Sequence, residues 1–161
     1  MATDGTYGYV EGGATLGVGT NTVNRYDPVA NTWTPLASMP VALYDARAAY
    51  AANVNKVYVF GGFNGSVVVS TTYVYNVATN TWTTGAAMPA ARIWPEAVYY
   101  SGNGKIYVIG GLDSGFVEQS QTWEYDPVTD TWNTSRAAAP LVHECGAFIV
   151  GPDDQVLLAM S

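Results

Sequence analysis

At 161 residues, with 48% hydrophobic and 13% aromatic content, the chain can bury a sizeable core and is too apolar for disorder. Its net charge of −7 and its six scattered cations (Lys56, Lys105 and four arginines) exclude the clustered basic face that nucleic acid requires. Apolar runs such as residues 67–69 fall far short of the ~20 residues of a membrane span, and MATDGTYGYV lacks the basic-then-apolar pattern of a secretory leader.

Taken in chain order, residues 6–13 predict a strand ending at Gly12 and Gly13, where glycine permits positive φ and close approach of another backbone. A loop over 14–24 leads to a strand bearing Tyr26. The Asp-Pro and Asn-Thr of YDPVANTW are turn chemistry, and they lead into a strand bearing Trp33, after which SMP ends at Pro40. The order then repeats. KVYVFGG, ending at Gly61 and Gly62, is apolar and β-branched enough for a strand buried on both faces. STTYVYN carries Tyr75 and, like QTWEYDP in the next round, alternates as a half-covered strand should, VATNTW turns into Trp82, and AMP ends at Pro89. A third round follows with KIYVIGG (Gly110, Gly111), QTWEYDP (Tyr125), PVTDTW (Trp132) and AAP ending at Pro140. CGAFIV, residues 145–150, and VLLAM, residues 156–160, predict two further strands.

The glycine pairs stand 49 residues apart both times, each tyrosine follows its first glycine by 14, 14 and 15 residues, and each tryptophan lies seven further on. A period near 50 with Gly-Gly, then YDP, then TW, then MP resembles the kelch repeat. The resemblance implies an all-β fold of four-stranded antiparallel blades arranged radially, with the first strand of each innermost. It divides the chain into a partial blade at 6–38, blades at 44–86 and 93–137, and a partial blade at 145–160. Each Trp of the repeat could bury about 150–250 Å², an upper bound of ~4–6 kcal/mol, and all three are expected to pack between blades.

A closed propeller has about four to eight blades, so about three leave strand edges open to another chain. The expected partner is a second copy, giving two half-rings, or the remainder of a longer propeller. In the two-copy arrangement the strand at 145–150 of one chain fills the innermost position beside residues 6–13 of the other.

In ligand-binding kelch propellers the working rim is formed by the loops from each fourth strand to the next first strand and from each second strand to the third. By that resemblance the former loops are 39–47, 88–97 and 139–146, carrying Tyr44, Asp45, Arg47, Arg92, Trp94, Glu96, His143 and Glu144 as ligand candidates. The latter are 14–24, 63–72 and 112–121. Arg92 stands where kelch repeats commonly carry an arginine, and it has both a structural reading, as a bridge between blades, and a ligand reading. His143-Glu144-Cys145 holds the only histidine and the only cysteine, too few for zinc, so no metal and no cofactor is expected.

A non-catalytic binding or scaffolding propeller, recognising protein or carbohydrate, is the expected function. The alternatives are a carbohydrate-active enzyme similar to kelch-type sialic-acid mutarotases, using Arg47, Arg92, Glu96 and His143, or a truncated or engineered piece with no function of its own. A galactose-oxidase-like copper site needs several histidines, and one is present. Low lysine with abundant Thr, Asn and Gly points to an extracytoplasmic bacterial setting.

Overall fold

The computed structural model describes residues 1–140 throughout and the backbone alone of 146–150 and 156–160. Three four-stranded antiparallel sheets follow one another along the chain. The first holds β1 (Ala2–Thr3) and β2 (Gly8–Glu11), then β5 (Val23–Asp27) and β6 (Thr32–Pro35), with the small hairpin β3 (Ala14–Thr15) and β4 (Val18–Gly19) between the pairs. The second runs β7 (Arg47–Ala51), β8 (Lys56–Phe60), β9 (Thr72–Asn76), β10 (Thr81–Gly85). The third runs β11 (Glu96–Tyr100), β12 (Lys105–Ile109), β13 (Thr122–Asp126), β14 (Thr131–Asn133), and a two-stranded sheet of β15 (Gly146–Val150) and β16 (Val156–Met160) ends the chain.

The first strands β1, β7, β11 and β15 lie side by side, each against the next, which makes them a common inner edge from which the sheets radiate. In the first sheet that inner position is held by only two residues, Ala2 paired with Tyr9 and Thr3 with Gly8. The place beside residues 6–13, expected to be vacant for another chain, is therefore partly taken by the chain's own start.

Alternation along a strand divides the core between successive sheets. Val57 and Val59 of β8 pack with Tyr9, Val23, Met39 and Tyr75 on one side, while Tyr58 and Phe60 pack with Met88, Ile106, Val108 and Tyr125 on the other. The middle sheet is thus buried on both faces. This corrects the expectation for β9 and β13: neither is half-covered, since residues 72–75 and 123–125 are all buried. In β12, expected to be buried on both faces, burial alternates, with Ile106 and Val108 inward and Lys105, Tyr107 and Ile109 less covered.

The tripeptide that ends in each tryptophan makes the joints between sheets. Asn31, Asn80 and Asp130 adopt φ of 53°, 53° and 56°, a left-handed turn position that Asn and Asp tolerate best after glycine. In that geometry Asn80 Oδ1 accepts the Tyr75 hydroxyl at 2.8 Å and the Ala37 N–H of the preceding sheet at 2.8 Å. Trp82 Nε1 donates to the Ala37 carbonyl at 2.8 Å, so one alanine is held at both its backbone groups. The next joint repeats this: Asp130 accepts from Tyr125 at 2.5 Å and from Ala86 N–H at 2.6 Å, and Trp132 Nε1 donates to Ala86 O at 3.0 Å. Trp33 breaks the expected set. It packs tilted on Tyr26 with ring centroids 4.9 Å apart, as its counterparts do on theirs, yet it stays 57% exposed because among the described residues no sheet covers that face.

Candidate functional site

Strands that alternate in direction bring the loops after β2, β8 and β12 to the same end of the sheets as the junctions leading into β7 and β11. Backbone pairing locks the two loop types together, through Tyr44 with Phe63 and Ile93 with Leu112. The glycine pairs make this contact possible. Gly62 N–H donates to Arg92 O at 2.8 Å and Gly13 N–H to Leu43 O at 2.8 Å, while a Cβ on Gly61 or Gly12 would collide with those same carbonyl oxygens. The result is a continuous rim.

Of the sequence-predicted ligand residues, six lie on this rim. The Tyr44 ring packs against Phe63 at 5.4 Å. Asp45 and Trp94 occupy equivalent junction positions, both at positive φ (59° and 52°), and Trp94 N–H donates to Asp45 O at 2.9 Å, tying one junction to the next. The Trp94 side chain is half-buried against Val68, Ile93 and Leu112. Arg47 Nε reaches Glu96 Oε1 at 3.5 Å across adjacent inner strands, with Glu96 buried and Arg47 half-exposed. Arg92 is buried: it donates to Gln121 Oε1 at 2.9 Å and Ala91 O at 2.8 Å, and its guanidinium lies 4.6 Å from the Trp123 ring centre. Desolvation pulls its pKa below the ordinary value, with the Asp113 charge opposing. His143 and Glu144 lie outside the described residues.

Two features of the rim escaped the sequence reading. The first is Glu11, which stands where the other repeats have Phe60 and Ile109. Its carboxylate lines a cavity of about 130 Å³ with Gly13, Tyr44, Asp45 and Arg47. Oε1 pairs with the Met1 ammonium at 2.7 Å, and Oε2 is buried with no hydrogen-bond partner among the described residues. Burial pushes this carboxyl above its usual pKa, against the lowering effect of the ammonium. Setting the three repeats in register exposes the substitution, since a charged residue replaces an apolar one at the end of a core strand.

The second is a set of exposed apolar tips on the loops after β2, β8 and β12: Leu16 and Val18, then Val67, then Phe116 and Val117. Leu16 is fully exposed and Phe116 61% exposed, and both sit in left-handed backbone at φ 52° and 59°. Turn residues that suit this conformation are Gly, Asn and Asp, so Leu and Phe here satisfy neither solvation nor backbone preference. The signal in sequence was an apolar residue beside glycine within a polar loop. Among the described residues no group of three or more His, Cys, Asp or Glu is placed to hold a metal ion.

Four-stranded meanders radiating from a common inner edge and joined by repeated Asn/Asp–Trp clamps are the blades of a β-propeller, here about three of them in an unclosed ring. The family model described as the KLHDC2/KLHL20/DRC7 Kelch-repeats domain matches residues 1–150. The chain belongs to the kelch-repeat family. No curated protein matches it.

Proposed function

We propose that the chain is a non-catalytic binding or scaffolding module that docks a protein partner on its loop rim, in a ring completed by a second copy. Kelch repeats typically serve as protein-interaction modules, which supports the coarse reading. The observation that carries the finer one is the row of exposed apolar tips, Leu16, Val67 and Phe116, one per blade on one rim. Apolar side chains exposed at the same end of successive blades suit contact with a partner, and two of these also hold unfavourable backbone. The cavity beside Glu11, Asp45 and Arg47 adds polar selectivity at the junction of the first two blades.

The test compares the wild-type protein with the triple variant Leu16→Asn, Val67→Asn, Phe116→Asn in pull-downs and on a glycan array. Protein capture lost in a variant with unchanged circular dichroism supports the rim; equal capture by both sinks it. Glycan binding would replace the protein partner by a carbohydrate. The paired Arg47 and Glu96 motivate a second reading, a mutarotase-like activity on sugars. Turnover that disappears on Glu96→Gln would establish that reading and displace the first.

A further inference from the structure

The two joints within the chain have two halves each. The acceptor half is a Tyr, an Asn or Asp at left-handed φ, and a Trp on the outer hairpin of one blade. The donor half is an alanine three residues before a proline on the preceding blade, Ala37 before Pro40 and Ala86 before Pro89. Each half occurs a third time. Tyr26 O–H donates to Asn31 Oδ1 at 2.9 Å and its ring packs against Trp33, so the acceptor is fully assembled, yet among the described residues no alanine N–H reaches Asn31 and Trp33 stays exposed. At the other end Ala137 stands three residues before Pro140. Its segment is already anchored, Ala139 N–H donating to Ser120 O at 2.7 Å as Met39 does to Asn21 O and Met88 to Ser70 O, both at 2.8 Å. Ala137 is exposed, whereas Ala37 and Ala86 are half-buried in their joints.

We propose that the Tyr26–Asn31–Trp33 face takes residues 137–140 of a second copy of this chain, forming between molecules the joint that occurs twice within one. The inference rests on the two-copy ring and names the surface that closes it. The argument for a second copy as occupant is the chain's own complement: the uncovered donor matches the uncovered acceptor group by group, with the geometry of both fixed by the internal joints. The contact is head-to-tail, so two such joints close a pair of chains into one ring. Within the chain, the segment after each donor runs into the inner strand of the acceptor's blade, as residues 37–40 lead to β7. By the same path β15 of the second copy arrives beside β2, where it displaces the two paired residues of β1, and β16 gives way to β2.

Light scattering and a mixing experiment test this. The wild-type chain should have twice the 17.1 kDa chain mass. Trp33→Glu, which blocks the acceptor, and Ala137→Glu, which blocks the donor, should each halve that mass. Mixing the two variants should restore the pair, because one intact acceptor then meets one intact donor. Should Trp33→Glu lose its circular dichroism, Asn31→Arg on the exposed turn reads the same contact. A wild-type pair that survives both variants overturns this surface while leaving a two-copy ring by another route. A wild-type monomer overturns both.

Discussion

Asn80 and Asp130 each serve a turn, a tyrosine and a neighbouring blade at once, so their substitution should cost more than a surface turn residue normally does. Asn80→Gly keeps the left-handed backbone and loses both hydrogen bonds, an expected loss of about 1–2 kcal/mol by urea denaturation. Asn80→Ala should cost ~1 kcal/mol more, because alanine also pays for left-handed φ. Equal stability of the two variants would show that backbone conformation plays no part. Glu11 works in the opposite direction. Its folded-state pKa is raised, so the folded protein holds the proton more tightly than the unfolded chain. The stability this group lends is therefore present below the ordinary carboxylate value of 4.5 and lost as pH rises through the raised value. Glu11→Gln should gain in melting temperature relative to wild type as pH rises above 4.5, with the two converging at lower pH. A difference that does not change with pH would remove the carboxyl as its cause. All three residues stood in plain sight in the sequence. The Asn/Asp-Thr-Trp tripeptide could be read because a threefold recurrence marks a structural demand, while Glu11 could be found only as a departure from one.

Among the elements, the strands and their order were legible because period-2 alternation, glycine pairs and Asx turns each leave a local trace. What a single strand could not reveal was how many blades flank it. The side chains of β9 alternate in chemistry but not in burial, since both neighbours are present, and β12 has the more apolar sequence but the more exposed second face. Coverage is a property of the neighbouring blade, and it has no local signature. The rim loops show the same limit. Their lengths could be read, but the outward projection of Leu16 and Phe116 depends on left-handed backbone at those residues. A measurable trade follows at this level. Leu16→Asn and Phe116→Asn should each raise stability by up to about 1 kcal/mol, since asparagine suits that conformation, while weakening partner binding. Variants that lose binding without any gain in stability would show that the backbone there is not strained.

For the whole molecule, stability passes from blade to blade through the joints at Ala37 and Ala86 and three core clusters of the described residues, as in other repeat proteins where only neighbours touch. The middle blade is held from both sides. In a chain kept monomeric by Trp33→Glu, amide exchange should be slowest in β8 and β9 and fastest in β5 and β6, whose outer face is bare. Uniform protection across the three sheets would show that the molecule opens as one unit. The Asn/Asp–Trp clamp has one more consequence, and it concerns descent. Plug and socket lie within one stretch of the same blade, Asn31 and Trp33 only a few residues before Ala37. A duplicated stretch of gene that encodes one blade therefore carries both sides of a working joint. Blades can be gained or dropped in whole numbers without any new surface having to arise.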